Sequence, residues 1–137
     1  MTKTLTFALA LALCGGALAA GSKSPKEQAW EAVALADGMK TAVAHFAAKS
    51  GRLPTSNEEA GLPAPTVIHG RYASSGTVSG DRITFEFGPG ADASLVARHL
   101  IFDASLKGEG ERAEVTWTCR SEDIAQDACP NDCSCDG

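Results

Sequence analysis

Apolar residues recur at helical spacing from residue 25 to 49 and at alternating spacing in several short runs after residue 71, with an irregular stretch between. Ser24, Pro25 and Glu27 form a capping box with proline at the first helical position, and Gly51 offers a C-terminal stop, so a helix is predicted from Pro25 to Lys49. At about 100° per residue, Ala32, Leu35, Ala36, Met39, Ala42, Val43 and Phe46 share one face, while Asp37, Lys40 and Lys49 lie elsewhere. Trp30 and Val33 fall opposite that stripe, near the helix start. Either a loop or the C-terminus covers the tryptophan, or the pair forms an exposed docking contact.

Residues 52–70 carry Pro, Ser, Asn and Gly with no period, which reads as a long ordered connection, a common place for function. Strands are then predicted at Arg71–Val78 and Arg82–Phe87, joined by a hairpin turn at Ser79, Gly80 and Asp81, with Ile83, Phe85 and Phe87 facing inward. After the break at GPGAD and a helical turn at Ala93–Ala97, a third strand is expected at Arg98–Asp103. A fourth, at Ala113–Cys119, puts Val115, Trp117 and Cys119 on one face. One amphipathic helix followed by four antiparallel strands packs as a two-layer α+β fold, with the helix stripe on one face of the sheet.

The N-terminus changes the picture of where this fold works. Lys3, an apolar stretch of nine residues from Leu5 to Leu13, and the small residues Ala17 and Ala19 around Leu18 make a Sec-type signal. A permanent transmembrane helix needs roughly 20 apolar residues. Cleavage near Ala19 or Ala20 divides the chain into a signal at 1–20 and one globular domain at 21–137, about 117 residues, in the periplasm or secreted. Cys14 raises a lipoprotein as the alternative, but Leu13 stands before it where lipoprotein processing takes Gly, Ala or Ser.

Composition fits an exported globule, with 44% hydrophobic residues and a formal charge of −5. An acidic chain without a Lys/Arg run repels phosphate backbones, which argues against nucleic-acid binding. Losing Cys14 with the signal leaves Cys119, Cys129, Cys133 and Cys135, an even number that reads as disulfides in an exported domain. Three pairings are possible, and joining Cys133 to Cys135 across one residue is the most strained. Zinc is disfavoured because CPNDCSC holds no second matching pair and no nearby histidine.

Catalytic chemistry has little footing. His45, His69 and His99 are scattered, and none accompanies a nucleophile motif. Glu58 and Glu59 read as solvated loop residues, and Asp127, Asp132 and Asp136 match no calcium-loop spacing. No cofactor or metal is expected, and the chain reads as a non-enzyme.

The run LADGMKTAVAHFAAKSGRLPTSNEEAGLPAPTVIHGRYASS from Leu35 to Ser75, the segment GRYASSGTVSGDRITFEFG, the strand VTWTC and the ending CPNDC together resemble the type IV pilin family. In that family the N-terminal helix begins with an apolar half that anchors the subunit and later packs in the filament core. Here a Sec-type signal stands in place of the prepilin leader and that hydrophobic stem. The resemblance implies a globular head of one long helix on a four-stranded antiparallel sheet. It also implies a bridge from Cys119 to Cys133 that closes the C-terminal loop and contributes about 3 kcal/mol by the chain-entropy argument. Cys129 and Cys135 depart from the family pattern, and their joint presence suggests a second bridge. The implied partners are pilus or pseudopilus proteins, met through Trp30, Val33, the 52–70 loop or the loop closed by Cys133. An exported adhesion or ligand-binding module is the alternative, and DNA capture, as in some minor pilins, would need a basic stripe that the chain lacks.

Overall fold

In the computed structural model, which describes residues 22–137, Ser24 opens helix α1 (Pro25–Ser50) with a reciprocal capping box. The Glu27 N–H donates to Ser24 Oγ at 3.3 Å, and the Ser24 N–H donates to Glu27 Oε2 at 2.7 Å. Gly51 closes the far end, its N–H donating to the Ala47 carbonyl at 2.8 Å. The expected signal at 1–20 and Cys14 lie outside the described residues. Among the described residues no helix is long and apolar enough to cross a membrane.

The sheet has five strands, one more than the pattern predicts. In chain order they are β1 (Ala73–Ser79), β2 (Arg82–Phe87), β3 (His99–Lys107), β4 (Glu114–Ser121) and β5 (Cys133–Cys135), and they lie side by side in that same order. The first four are antiparallel, whereas β5 runs parallel to β4, with Cys119 opposite Cys133. Three residues, Cys-Ser-Cys, are too short to show a period-2 signal, which is why β5 escaped the sequence reading. β1 starts two residues later than expected: its ladder opens with Ala73 opposite Phe87, and the Arg71 and Tyr72 amides before it are bonded to a helix side chain. β3 runs further than expected, to Lys107, and β4 starts one residue later than expected, at Glu114, and runs two residues further, to Ser121.

Helix and sheet meet through Ala29, Ala32, Ala36, Met39, Val43 and Ala47 on α1 and Val78, Ile83, Phe85, Phe87, Leu100 and Phe102 on the strands, all buried. The buried stripe is rotated from the expected one, so Leu35, Ala42 and Phe46 form a half-buried flank. Small alanines let the backbone of α1 approach the aromatic floor, where Phe85 and Phe102 meet edge to face at 6.3 Å. Gly76 serves the same close approach: a Cβ there would lie 2.8 Å from the Phe85 ring and 2.9 Å from Met39 Sδ. The C-terminal segment also enters the core, with Ile124, Ala128, Cys129 and Cys135 buried in the same cluster.

Three buried or half-buried polar side chains tie the connections to this core. Glu31 accepts the backbone N–H groups of Arg71, Tyr72 and Ala73 at 3.0, 2.8 and 2.9 Å. Gln28 accepts the Asp92 N–H at 2.7 Å and donates to the Lys23 carbonyl at 2.8 Å. Asn57, only 5% exposed, acts on the free edge of β1 as a neighbouring strand would. Its Oδ1 accepts the Val78 N–H at 2.6 Å, and its Nδ2 donates to the Gly76 and Pro63 carbonyls at 2.9 and 3.0 Å.

Asn57→Ala leaves these buried groups without partners, and each orphan costs about 1–3 kcal/mol. The expected outcome is a loss of about 2 kcal/mol or more in urea unfolding, with a lower midpoint; an unchanged midpoint would show that Asn57 is dispensable at the edge.

Candidate functional site

Four residues of α1 spaced three or four apart, Trp30, Val33, Asp37 and Lys40, run along the flank that faces β4 and the C-terminal loop. Opposite them stand Phe102 from β3, Trp117 and Cys119 from β4, and Asp132 and Cys133 from the loop. The two rows bound a groove of about 370 Å³. Its position corrects the expectation that Trp30 and Val33 lie opposite the domain body: both are half-buried, and Val33 packs against the core. The helix rotation noted above carries them there.

Cations and aromatic rings meet in this groove. Lys40 Nζ lies 4.5 Å from the centroid of Phe102 and 5.9 Å from that of Trp117. Asp37 approaches the same ammonium at 3.8 Å, and its carboxylate is largely exposed. At the mouth, Lys26 Nζ donates to Asn131 Oδ1 at 3.1 Å and so links the helix start to the loop.

Both cysteine pairs shape this end of the molecule. Cys119 is bonded to Cys133 across the parallel β4–β5 pair, with Cα atoms 4.6 Å apart. Cys129 is bonded to Cys135, with Cα atoms 5.9 Å apart and both residues buried. The loop between Cys119 and Cys133 is therefore stapled at its base and anchored in the core through Ile124 and Ala128.

A second hollow, about 520 Å³, lies where Ser56, Asn57, Leu62 and Pro65 of the long connection cover Thr77 and Val78 of β1. Asn57 uses its amide to seal the strand edge there, which leaves a mainly apolar recess. Glu59 is held in this connection by Thr55 and Arg52, while Glu58 is exposed.

The histidines do not come together. His45 and His69 are exposed on α1 and the connection, whereas His99 opens β3 with its Nδ1 2.8 Å from Asp123 Oδ2. Ser121 stands close by, but its hydroxyl is buried and donates to the His99 carbonyl at 2.6 Å. A serine so committed to the backbone is a fold contact, not a nucleophile. Burial raises the Asp123 pKa, but hydrogen bonds from the His99 N–H and ring and from Ser121 outweigh it and hold the carboxyl below its ordinary value. Asp103 on the outer sheet face behaves likewise: burial pushes upward, and the guanidinium groups of Arg120 and Arg82 pull its pKa down. Asp127, Asp132 and Asp136 are exposed, and among the described residues no three His, Cys, Asp or Glu side chains are placed to hold a metal.

The profile of the pilin family, bacterial filament proteins, matches residues 26–134. A type IV major pilin protein, PilE1 of Neisseria gonorrhoeae, is 30% identical over 96 residues, which cover 69% of this chain and 51% of that protein. The chain thus spans about half the length of the curated relative it matches.

Because Asp123 and Asp103 have folded-state pKa values below their unfolded ones, the stability they contribute is fully present above about pH 3.9 and is lost as pH falls through the folded values. Urea midpoints measured from about pH 6 to about pH 2 should therefore fall for the wild type, and the gap to Asp123→Asn should narrow toward the acid end. A constant gap would show that the Asp123 charge contributes nothing.

Proposed function

The chain belongs to the type IV pilin family, and on that premise we propose that it is a non-enzymatic pilin head that works through protein contacts. In this reading residues 1–20 are a Sec-type signal removed near Ala19 or Ala20. The released domain, residues 21–137, then serves in the periplasm or outside the cell as an accessory of type IV pilus or related secretion components. The observation that carries the reading is the extent of the family match, which runs from the first turn of α1 into β5. The match takes in β1 to β4 and reaches β5, and the second disulfide closes at Cys135, one residue beyond it. The non-enzymatic part is supported by the chemistry of the polar clusters: Ser121, His99 and Asp123 are engaged in holding strands and loop together. Trp30 and Val33, on the flank of α1, and the loop stapled by Cys133 offer the contact surface.

An intact mass spectrum of the exported protein should show a chain starting near residue 20 or 21, carrying no lipid and four hydrogens lighter than the reduced form because of its two disulfides. The same protein used as bait in a periplasmic extract should recover a pilus or pseudopilus component. Recovery of none, together with binding of the released protein to whole cells or surfaces, would replace the accessory role with an exported adhesion module.

A further inference from the structure

The groove between α1 and β4 has a composition that its place in a packed head does not require. Both tryptophans of the chain line it. A head that needed only to close its core could cover Phe102 with aliphatic side chains; here indoles and carboxylates border the same hollow.

Aromatic faces attract cations, most strongly for tryptophan. The groove already displays that preference, since Lys40 turns its ammonium onto Phe102 and toward Trp117. Two carboxylates and one ammonium line it, a lining charge of negative one, and the Lys26 ammonium at its mouth is bonded to Asn131. The ammonium is engaged by the rings and by Asp37 at 3.8 Å, whereas Asp132, exposed on the stapled loop, makes no ion pair among the described residues. What remains is a tryptophan-lined hollow of about 370 Å³ whose loop carboxylate, Asp132, is engaged in no ion pair among the described residues.

From this charge and ring chemistry we propose that the groove receives an arginine side chain from a basic segment of a partner protein. Arginine fits better than lysine because its planar guanidinium stacks on an indole and can reach a carboxylate with two parallel N–H groups. The guanidinium stacks against Trp30 or Trp117 and bonds to Asp132, and its aliphatic stem covers Val33 and the Cys119–Cys133 bridge. The disulfide fixes Asp132 relative to Trp117, so the site is preorganised before the partner arrives. This rests on the reading above that the head works through protein contacts, and it adds the chemistry of the partner.

The test uses the intact mature protein and needs no pilus component, so its failure and the failure of the accessory reading are told apart. Intrinsic tryptophan fluorescence, which arises only from this groove, is followed as a tryptophan-free capped peptide of alternating Arg and Gly is added at low salt. A saturable change is expected, weakened about tenfold in the double variant Asp37→Asn and Asp132→Asn and by added salt. Trp30→Phe, which keeps an aromatic ring, should bind more weakly than the wild type and more tightly than Trp30→Ala. A Glu-Gly peptide of the same length should give no saturable change. The proposal is overturned if the Arg-Gly peptide gives none either, if the double variant binds it equally well, or if the acidic peptide binds as tightly. It is also overturned if the fluorescence follows protein concentration alone, which would make a second copy of this chain the occupant.

Discussion

Glu31 lies two turns into α1, and its carboxylate gathers three successive backbone N–H groups at the point where the long connection turns into β1. Helix and sheet otherwise meet through apolar contacts, which are non-directional and would tolerate some rotation of the helix about its axis. The carboxylate removes that freedom. Charge-assisted bonds to amides that the sheet cannot use are the stronger class of hydrogen bond, and their geometry permits one rotation. Gly70 belongs to the same arrangement: a Cβ there would stand 2.3 Å from Glu31 Oε1, so any larger residue would expel the carboxylate. Once Glu31 is committed to the β1 side, Val33, two residues or about 200° further round the helix, must face the β4 side. The groove is a consequence of that rotation.

Much of this was legible in the chain. The capping box at Ser24, the stop at Gly51 and the alternation of Ile83, Phe85 and Phe87 are local signals, and each specifies its element without help from distant residues. Glu31, Gln28 and Asn57 were not legible, because a polar residue in a helix or loop looks the same whether it faces water or a strand 40 residues away. The meeting of Glu31 with Tyr72 is decided by tertiary packing. The strand at Cys133–Cys135 was invisible for another reason: it is created by pairing with β4 beside a disulfide, not by its own propensity. The groove fell between these cases. Apart from Phe102, its residues were singled out or noted, but the small rotation that turns Trp30 and Val33 from the far side to the flank is set by Glu31.

The two ends of the sheet are managed by different chemistry. At β1 an asparagine side chain stands in for a missing strand, while at β4 a short parallel strand is covalently stapled in place. The sealed edge leaves a recess of mainly apolar character, whereas the stapled edge places an exposed carboxylate beside two indoles. That asymmetry puts the chemically distinctive surface at the C-terminal side, where this member of the pilin family carries its two disulfides.

Amide hydrogen exchange on the wild type and on Glu31→Gln measures the rotational lock most directly. The neutral amide keeps one oxygen acceptor in place of two, so the Arg71, Tyr72 and Ala73 amides should exchange faster together. The amides of β2 and β3 should keep their protection, and the Trp117 indole signal should shift as the groove loosens. Unchanged exchange at all three amides, with an unmoved indole signal, would contradict the claim that this one carboxylate sets the rotation of the helix.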